Sequence, residues 1–272
     1  MWNDFQGRAV LVTGGTRGIG LACGLAFARR GAAVTLTHKW GSADEDAIRA
    51  AFAAAGAPPP SIVAADVSQA EDNRNVLEGI RARHDRLDVL VSNVAFAALI
   101  RSVDDYSARG LATGIDYSAW PVAALTLEAR RIFARPPRYV VALSSEGIEA
   151  MHVNYDFVAA AKAVLESLCR YLHHRLRGED CRVNVVRTRF VATEALAATF
   201  GAEFEPFVRR IAPDLFCTPD EVAEGVFGCC SGLMDGLGGQ VVQLDRGASL
   251  WDNFSRLYQE RQLHPIQPTK RP

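Results

Sequence analysis

The chain has 272 residues, 49% of them hydrophobic, and a formal net charge of −1. This length suits one doubly wound α/β unit with a large core, and a near-neutral charge with scattered basic residues argues against nucleic acid as a partner. The N-terminus has no signal-peptide pattern and no apolar run reaches about 18 residues, so we expect a cytoplasmic protein with no membrane partner.

Seven short apolar runs predict strands buried on both faces of a parallel sheet, because several are rich in Val and Leu without polar alternation. In chain order these runs are Ala9–Thr13, Ala33–Thr37, Ser61–Ala65, Asp88–Ser92, Tyr139–Ser144, Arg182–Val186 and Gln240–Asp245. Helix-like segments lie between them at 17–30, 43–55, 69–85, 116–134, 155–177, 192–211 and 219–233. This alternation predicts one α/β domain over residues 1–272, a single Rossmann-like doubly wound parallel sheet of about seven strands, ending in a polar C-terminal tail at 250–272.

Six cysteines are spread along the chain without the spacing of a metal site. They occupy positions 23, 169, 181, 217, 229 and 230. Buried, reduced thiols are the expected state, and no metal is predicted.

A glycine-rich loop follows the first predicted strand directly. Residues 13–20 read Thr-Gly-Gly-Thr-Arg-Gly-Ile-Gly. Glycines at 14, 18 and 20 permit a tight turn and a close approach of backbone amides to a pyrophosphate, while the helix that follows directs its positive end at the same charge. Because the loop joins a strand to a helix, which is the context such a motif requires, it predicts a dinucleotide site.

This loop resembles the cofactor loop of the short-chain dehydrogenase/reductase family, and further family landmarks follow in order along nearly the whole chain. Asp66-Val67 resembles the pair that contacts adenine, Ser92–Ala95 a degraded Asn-Asn-Ala-Gly motif, and Ser145 the catalytic serine. The resemblance implies an NAD(P)H-dependent oxidoreductase. It also implies cofactor contacts at Gly14, Thr16, Arg17, Gly18, Ile19, Gly20, Asp66, Val67, Asn93 and Thr193.

Cofactor choice depends on the residues after the second predicted strand. Sites specific for NAD usually have an acidic residue there, which binds the ribose diol. This chain has Thr37, His38 and Lys39 instead, and Arg17 lies in the neighbouring loop. Cationic groups at these positions suit the extra phosphate of NADPH, so we predict NADPH rather than NADH, with His38 and Lys39 in the site.

The predicted catalytic helix departs from the Tyr-x-x-x-Lys pattern of ordinary family members. Val158 stands four residues before Lys162, and Tyr155 stands seven residues before it. Seven residues turn about 700° around a helix, so Tyr155 and Lys162 lie on nearly the same face. The spacing Asn-Tyr-x6-Lys resembles the enoyl-acyl-carrier-protein reductases, and the glycine loop together with residues 144–147 resembles their NADPH-using subgroup.

This resemblance implies reduction of an enoyl thioester, with NADPH delivering hydride to the β-carbon. Tyr155 then stabilises the enolate oxygen, Lys162 binds the nicotinamide ribose, and Ser145 orients the substrate carbonyl. A tyrosine one turn further from the lysine fits this reaction, because negative charge collects on an oxygen three bonds from the carbon that receives the hydride.

Other residues near the predicted site allow two interpretations each. Arg187 and Arg189 follow the sixth strand, where the family usually has small residues, and they either bind an anionic substrate group or pair with acids. His152, three residues before Tyr155, is either structural or catalytic. The aromatic and apolar region after residue 194 favours a hydrophobic acyl substrate, although core packing explains it equally well.

Three functions therefore remain open. The first is an NADPH-dependent enoyl-thioester reductase acting on fatty acid or polyketide chains, with an acyl carrier protein as partner. The second is an atypical ketoreductase that has lost the usual tyrosine position, and the third is a non-catalytic NADPH-binding scaffold. The family resemblance also implies a homotetramer or homodimer, with the predicted helices 116–134 and 155–177 in the interface.

Overall fold

A computed structural model describes residues 4–39 and 43–250, together with residues 252, 255, 258, 259, 261 and 262. Within these residues, seven strands form one parallel sheet in the order β3-β2-β1-β4-β5-β6-β7. The strands are β1 Ala9–Val12, β2 Ala33–His38, β3 Ser61–Ala64, β4 Val89–Ser92, β5 Tyr139–Ser145, β6 Arg182–Thr188 and β7 Val241–Leu244. The predicted Rossmann-like sheet is confirmed, and most of the predicted tail at 250–272 lies outside the described residues.

The central strands are buried on both faces of the sheet. In β1, Val10 and Val12 belong to one hydrophobic cluster, whereas Ala9 and Leu11 belong to the other. Successive side chains of a strand point to opposite faces, so helices must cover both faces of the sheet. This burial explains why the strand sequences lack polar alternation.

The described residues form nine α-helices. They are α1 Gly18–Ala28, α2 Glu45–Ala54, α3 Ala70–Arg81, α4 Ala108–Ser118, α5 Trp120–Phe133, α6 Asp156–Arg175, α7 Glu194–Phe200, α8 Phe204–Ile211 and α9 Pro219–Cys230. Five of the seven predicted helices have one counterpart each.

The other two predicted helices are each divided. The helix predicted at 116–134 is the end of α4 followed by α5, which meet at Ala119, and Pro121 lies in the first turn of α5. Proline has no N–H to continue a preceding helix and suits a new first turn. The helix predicted at 192–211 is interrupted at Gly201, whose φ of +93° is one that glycine adopts readily.

The strand order places a crevice at the carboxyl ends of the strands. Because β1 lies between β2 and β4, the chain leaves it toward one side of the sheet and later returns on the other. Ligands of open α/β sheets bind at such a reversal. The segments that follow β1, β4, β5 and β6 all begin at this edge, so residues distant in sequence meet there.

The cysteines of the chain all lie within the described residues. All six cysteines are free and buried, as predicted. Burial raises the pKa of Cys23 and Cys169 to about 12, so these thiols are unreactive at neutral pH. In this part of the chain, no cluster of His, Cys, Asp and Glu has the arrangement to hold a metal ion, and no helix is long and apolar enough to cross a membrane.

Candidate active site

A cleft of about 600 Å³ opens at the carboxyl edge of the sheet. Every residue predicted for the site lines this cleft except Gly20. The lining predicted residues are Gly14, Thr16, Arg17, Gly18, Ile19, His38, Lys39, Asp66, Val67, Asn93, Ser145, Tyr155, Lys162 and Thr193. The structure therefore brings the predicted cofactor and catalytic residues together in one cavity.

The glycine loop occupies one end of the cleft. Gly14 and Gly18 have φ values of +60° and +52°, in the left-handed region that side chains other than glycine rarely adopt. A Cβ at Gly20 would collide with the carbonyl oxygen of Gly14 and lie 2.7 Å from Asn93 Nδ2. Gly20 therefore packs against the side of the loop that faces away from the cleft, which explains why it does not line the cleft.

The N-terminus of α1 fits an anionic group. Arg17, the residue before the helix, makes no side-chain capping hydrogen bond, and the first turn contains no acidic residue. Among the described residues, the amides at this end of α1 thus have no side-chain acceptor, and the helix dipole adds positive potential. Close glycine backbone and open amides are what the pyrophosphate of a dinucleotide requires, so the residues present fit the predicted cofactor.

Asn93 connects the end of β4 to the glycine loop. Its Nδ2 donates to the carbonyl oxygens of Thr13 and Gly14 at 3.1 and 3.0 Å, and its backbone N–H donates to Thr13 Oγ1 at 3.0 Å. The side-chain amide therefore holds the loop in shape. Direct contact between Asn93 and a cofactor stays a prediction.

Lys39, Asp66 and Tyr117 form a polar cluster beside the glycine loop. Lys39 Nζ pairs with Asp66 and hydrogen bonds to Tyr117, whose hydroxyl donates to Asp66 Oδ2 at 3.1 Å. Burial raises the pKa of Asp66, but hydrogen bonds from Lys39, Ser68 and Tyr117 outweigh it, so the pKa lies below its ordinary value. Sequence reasoning missed the role of Tyr117, because only the fold brings α4 next to the ends of β2 and β3.

Arg17 and His38 complete the cofactor end. The Arg17 side chain is 71% exposed, and its Nη1 lies 3.8 Å from the exposed carboxylate of Glu194. Exposed ion pairs of this kind contribute little stability, so the guanidinium is able to turn toward a phosphate. Arg17 is thus a less constrained cation than Lys39. His38 Nδ1 is buried and has no hydrogen-bond partner among the described residues.

Tyr155 lies at the other end of the cleft, directly before α6. A Cβ at Gly147 would lie 2.6 Å from the Tyr155 ring, so the glycine makes room for it. Burial raises the pKa of Tyr155, and a hydrogen bond with Ser145 opposes this rise. The phenol therefore stays protonated near neutral pH and is able to donate a hydrogen bond to a developing oxyanion.

Lys162 lies in the second turn of α6 and is 4% exposed. Its Nζ donates to the carbonyl oxygen of Leu143 at 2.7 Å, which ties α6 to β5. Burial lowers the pKa of Lys162 to about 8, against the opposing influence of Cys169 and Glu166. Tyr155 and Lys162 both line the cleft, as their spacing indicated.

Arg187 pairs with acids, which is one of the two interpretations of the sequence. Its Nε and Nη2 donate to the two oxygens of Glu166 at 2.9 and 2.6 Å, and its Nη1 donates to Glu149 at 3.0 Å. Ser144 Oγ donates to Glu166 at 2.7 Å. Sequence reasoning missed Glu166, although an acidic residue one turn after Lys162 on an apolar helix was an available signal.

Arg189 and His152 share a buried carboxylate at the Tyr155 end of the cleft. Arg189 Nε lies 3.6 Å from Glu146 Oε2, and Arg189 Nη1 donates to the carbonyl oxygen of Ala248 at 2.5 Å. His152 Nε2 lies 3.0 Å from the same Glu146 oxygen. Arg189 and His152 line the cleft, whereas Glu146 lies behind them.

Aromatic rings form one wall of this end of the cleft. Phe190 packs against Phe204 and Phe216 with ring centroids 5.4 and 5.5 Å apart, and Phe200 stacks on Phe204 at 4.8 Å. Phe207, in contrast, is 52% exposed. The aromatic residues after position 194 therefore serve both core packing and the cleft wall.

Thr193 lies between the two ends of the cleft. Its Oγ1 accepts a hydrogen bond from Leu196 N at 3.2 Å and so caps α7. A Cβ added at Gly18 would lie 3.6 Å from Thr193 Cγ2, which places the threonine next to the glycine loop. Its predicted contact with the cofactor carboxamide stays a prediction.

The chain is similar to several known proteins along most of its length. A family model described as enoyl-(acyl carrier protein) reductase matches residues 14–249. The enoyl-acyl-carrier-protein reductase (NADH) of Aquifex aeolicus is 27% identical, covering 92% of this chain and 94% of its own. The 1-cyclohexenylcarbonyl-CoA reductase of Streptomyces collinus is 28% identical over 88% of this chain and 86% of its own. A solved short-chain dehydrogenase from Burkholderia cenocepacia in complex with NADP has a TM-score of 0.78 and 24% identity, covering 90% of this chain and 99% of that one, and shows the same fold.

Proposed function

The chain belongs to the short-chain dehydrogenase/reductase family, and on that premise we propose that it reduces the carbon–carbon double bond of an enoyl thioester with NADPH. Membership of this family makes the chain an NAD(P)H-dependent oxidoreductase. The observation that carries the finer proposal is the spacing of Tyr155 and Lys162, seven residues apart, with both side chains lining one cleft.

NADPH supplies a hydride when it is bound. The glycine loop and the amides at the start of α1 are the groups that would hold its pyrophosphate. The proposal of NADPH rests on the absence of an acidic residue at Thr37, His38 and Lys39 and on the exposed guanidinium of Arg17. The Aquifex aeolicus relative is named for NADH, so the cofactor preference is argued from these residues alone.

The residues at the far end of the cleft suit charge that develops on a carbonyl oxygen. Tyr155 donates a hydrogen bond to the thioester oxygen as it becomes an enolate, with Ser145 orienting the phenol. Lys162 holds the adjoining end of β5 and adds positive charge when protonated. The rings of Phe190 and Phe200 line the cleft, with Phe204 packed behind them, and exclude water, which strengthens each of these interactions.

The proposed substrate is a hydrophobic acyl chain carried as a thioester, either on coenzyme A or on an acyl carrier protein. The aromatic wall supports an apolar chain. The family model is described for an acyl-carrier-protein substrate, and the Streptomyces collinus relative is named for a coenzyme A thioester. The chemical bond to be reduced is common to both.

NADPH oxidation with two substrates in parallel tests the proposal. We expect turnover of a crotonyl thioester but not of an acetoacetyl thioester. Tyr155→Phe removes the oxyanion donor and is expected to lower kcat by roughly 100- to 1,000-fold, with NADPH affinity unchanged. The matched control Tyr258→Phe alters an exposed tyrosine outside the cleft and should leave kcat unaltered.

Other outcomes identify the alternatives. Turnover of the acetoacetyl thioester alone would make the protein an atypical ketoreductase. NADPH binding without oxidation by any thioester or ketone would favour a non-catalytic scaffold. Equal kcat in Tyr155→Phe and the wild type would remove Tyr155 from the mechanism.

We also propose that the chain forms a homodimer or homotetramer through α5 and α6. Trp120 and Leu127 on α5 are each 48% exposed, and Tyr171 on α6 is 69% exposed. Large apolar groups exposed on neighbouring helices are typical of protein interfaces. Light scattering of the eluting protein measures the mass directly, and a monomeric mass would contradict the proposal.

A further inference from the structure

Glu146, which is buried, and the partly buried His152 and Arg189 form a polar group beside Tyr155. Glu146, in the short 3₁₀ turn Glu146–Ile148 after β5, is 3% exposed. Its Oε2 lies 3.0 Å from His152 Nε2 and 3.6 Å from Arg189 Nε. A buried carboxylate needs such partners, because removing an ion from water without compensation costs several kcal/mol.

The histidine of this group faces the cleft. The His152 ring is perpendicular to the Tyr155 ring, with centroids 5.7 Å apart, and it contacts Phe190 and Phe200 at 6.0 and 5.9 Å. In the described part of the chain, the ring makes one hydrogen bond, through Nε2 to Glu146. Nδ1 is therefore available to a molecule in the cleft.

The proposed reaction requires a proton at a carbon atom as well as a donor at an oxygen. Reduction of the β-carbon leaves an enolate, and the α-carbon must then gain a proton. Tyr155 suits the oxygen, since burial raises its pKa and makes the phenol a reluctant proton donor. The α-carbon adjoins the thioester carbonyl, so a second acid next to Tyr155 is well placed to protonate it.

We propose that His152, held by Glu146, is this second acid and protonates the α-carbon of the enolate. This inference rests on the proposed enoyl reduction. The enolate electron pair forms the new C–H bond, the N–H bond of the imidazolium breaks, and neutral imidazole remains and regains a proton from water. The Glu146 carboxylate accepts from His152 Nε2 and stabilises the imidazolium, and the guanidinium of Arg189 lies 3.6 Å from the same carboxylate oxygen.

Product stereochemistry tests the assignment independently of rate. A 2-methyl enoyl thioester gives a product with a stereocentre at the α-carbon, so the face of protonation is recorded in the product. We expect one configuration from the wild-type enzyme. His152→Gln keeps a hydrogen-bond donor toward Glu146 but cannot supply this proton, so the enolate takes a proton from water and both configurations form.

Isotope effects give a second measurement. In His152→Gln, we expect kcat to fall roughly 100-fold, with unchanged NADPH affinity showing that the fold is intact. Protonation then becomes the slow step, so the rate ratio between H₂O and D₂O rises while the ratio between NADPH and 4-deuterated NADPH falls toward one. Glu146→Gln should show the same pattern to a smaller extent, and His174→Gln, an exposed histidine of α6, should match the wild type.

The two proposals fail differently. If the wild type reduces enoyl thioesters and His152→Gln keeps its kcat, its single product configuration and its isotope ratios, the role of His152 is wrong while the proposed function stands. If the wild type reduces no enoyl thioester, the proposed function is wrong and the role of His152 with it.

Discussion

The two ends of the cleft differ in the groups that form them: closely packed backbone at one end and buried charged side chains at the other. Around the glycine loop of the cofactor end, Gly20 and Asn93 bring backbone atoms and small groups into close contact. The substrate end instead contains Glu146, Lys162 and Glu166, each less than 5% exposed. Added atoms should therefore weaken NADPH binding at the cofactor end, whereas removal of a charged partner should destabilise the fold at the substrate end.

The largest expected effect comes from removing a charge at the substrate end. Within the described residues, Arg187→Leu leaves Ser144 as the one hydrogen-bond donor to the buried carboxylate of Glu166. An uncompensated buried charge of this kind destabilises proteins by about 3–5 kcal/mol. Urea unfolding of the two proteins measures the difference in free energy of unfolding.

A matched variant compares the loss of this buried ion pair with the loss of an exposed one. Arg81→Leu, at the end of α3, removes an exposed ion pair with Asp85 and should cost less than about 1 kcal/mol. The double variant Arg187→Met, Glu166→Leu should recover most of the loss from Arg187→Leu. Equal losses in Arg187→Leu and Arg81→Leu would show that the substrate end does not depend on paired charges.

Lys162 should make the stability of the cofactor-free protein depend on pH. Its pKa is about 8 in the folded chain against an ordinary 10.5. Between these values the unfolded chain holds a proton that the folded chain has released, so the free energy of unfolding gains about 1.4 kcal/mol per pH unit. Lys162→Met lacks this gain and should exceed the wild type in stability at pH 7 but lose that advantage by pH 10. Parallel curves for the two proteins would contradict the low pKa.

At the cofactor end, one added methyl group should be enough to impair binding. Gly20→Ala places a Cβ against the carbonyl oxygen of Gly14 and 2.7 Å from Asn93 Nδ2, so the loop has to move. We expect the Kd for NADPH to rise roughly 100-fold, a change of about 2.7 kcal/mol. Gly79→Ala in α3 meets no atom within 4 Å and should leave the Kd unchanged while stabilising the helix by about 1 kcal/mol. Similar Kd values for both variants would mean that the loop tolerates added atoms.

The same contrast explains what the sequence predicted. The glycine loop and the seven strands could be predicted from the sequence, because turn glycines and buried strands leave patterns among neighbouring residues. The side-chain partners of Lys39 and Arg187 could not be predicted from the sequence. Asp66 and Tyr117 contact Lys39, and Glu166 contacts Arg187, only because separate elements pack together. The predicted helices 116–134 and 192–211 were each too long, because the chain divides them at Ala119 and Gly201.

The smallest expected effect concerns the acyl chain and isolates the aromatic wall. Phe200 stacks on Phe204 and lies 6.2 Å from the Tyr155 ring, so it is placed to cover a chain attached to the thioester. Burial contributes about 0.8 kcal/mol per methylene, and an octenoyl thioester has four more methylenes than a crotonyl one. If Phe200 covers about two of them, Phe200→Ala should lower the ratio of kcat/KM between these substrates roughly tenfold. Phe207→Ala removes an exposed ring and should leave the ratio unchanged. Since neither variant touches the glycine loop, the Kd for NADPH should stay constant in both, and a parallel loss of NADPH affinity in Phe200→Ala would show that the two ends of the cleft are not independent.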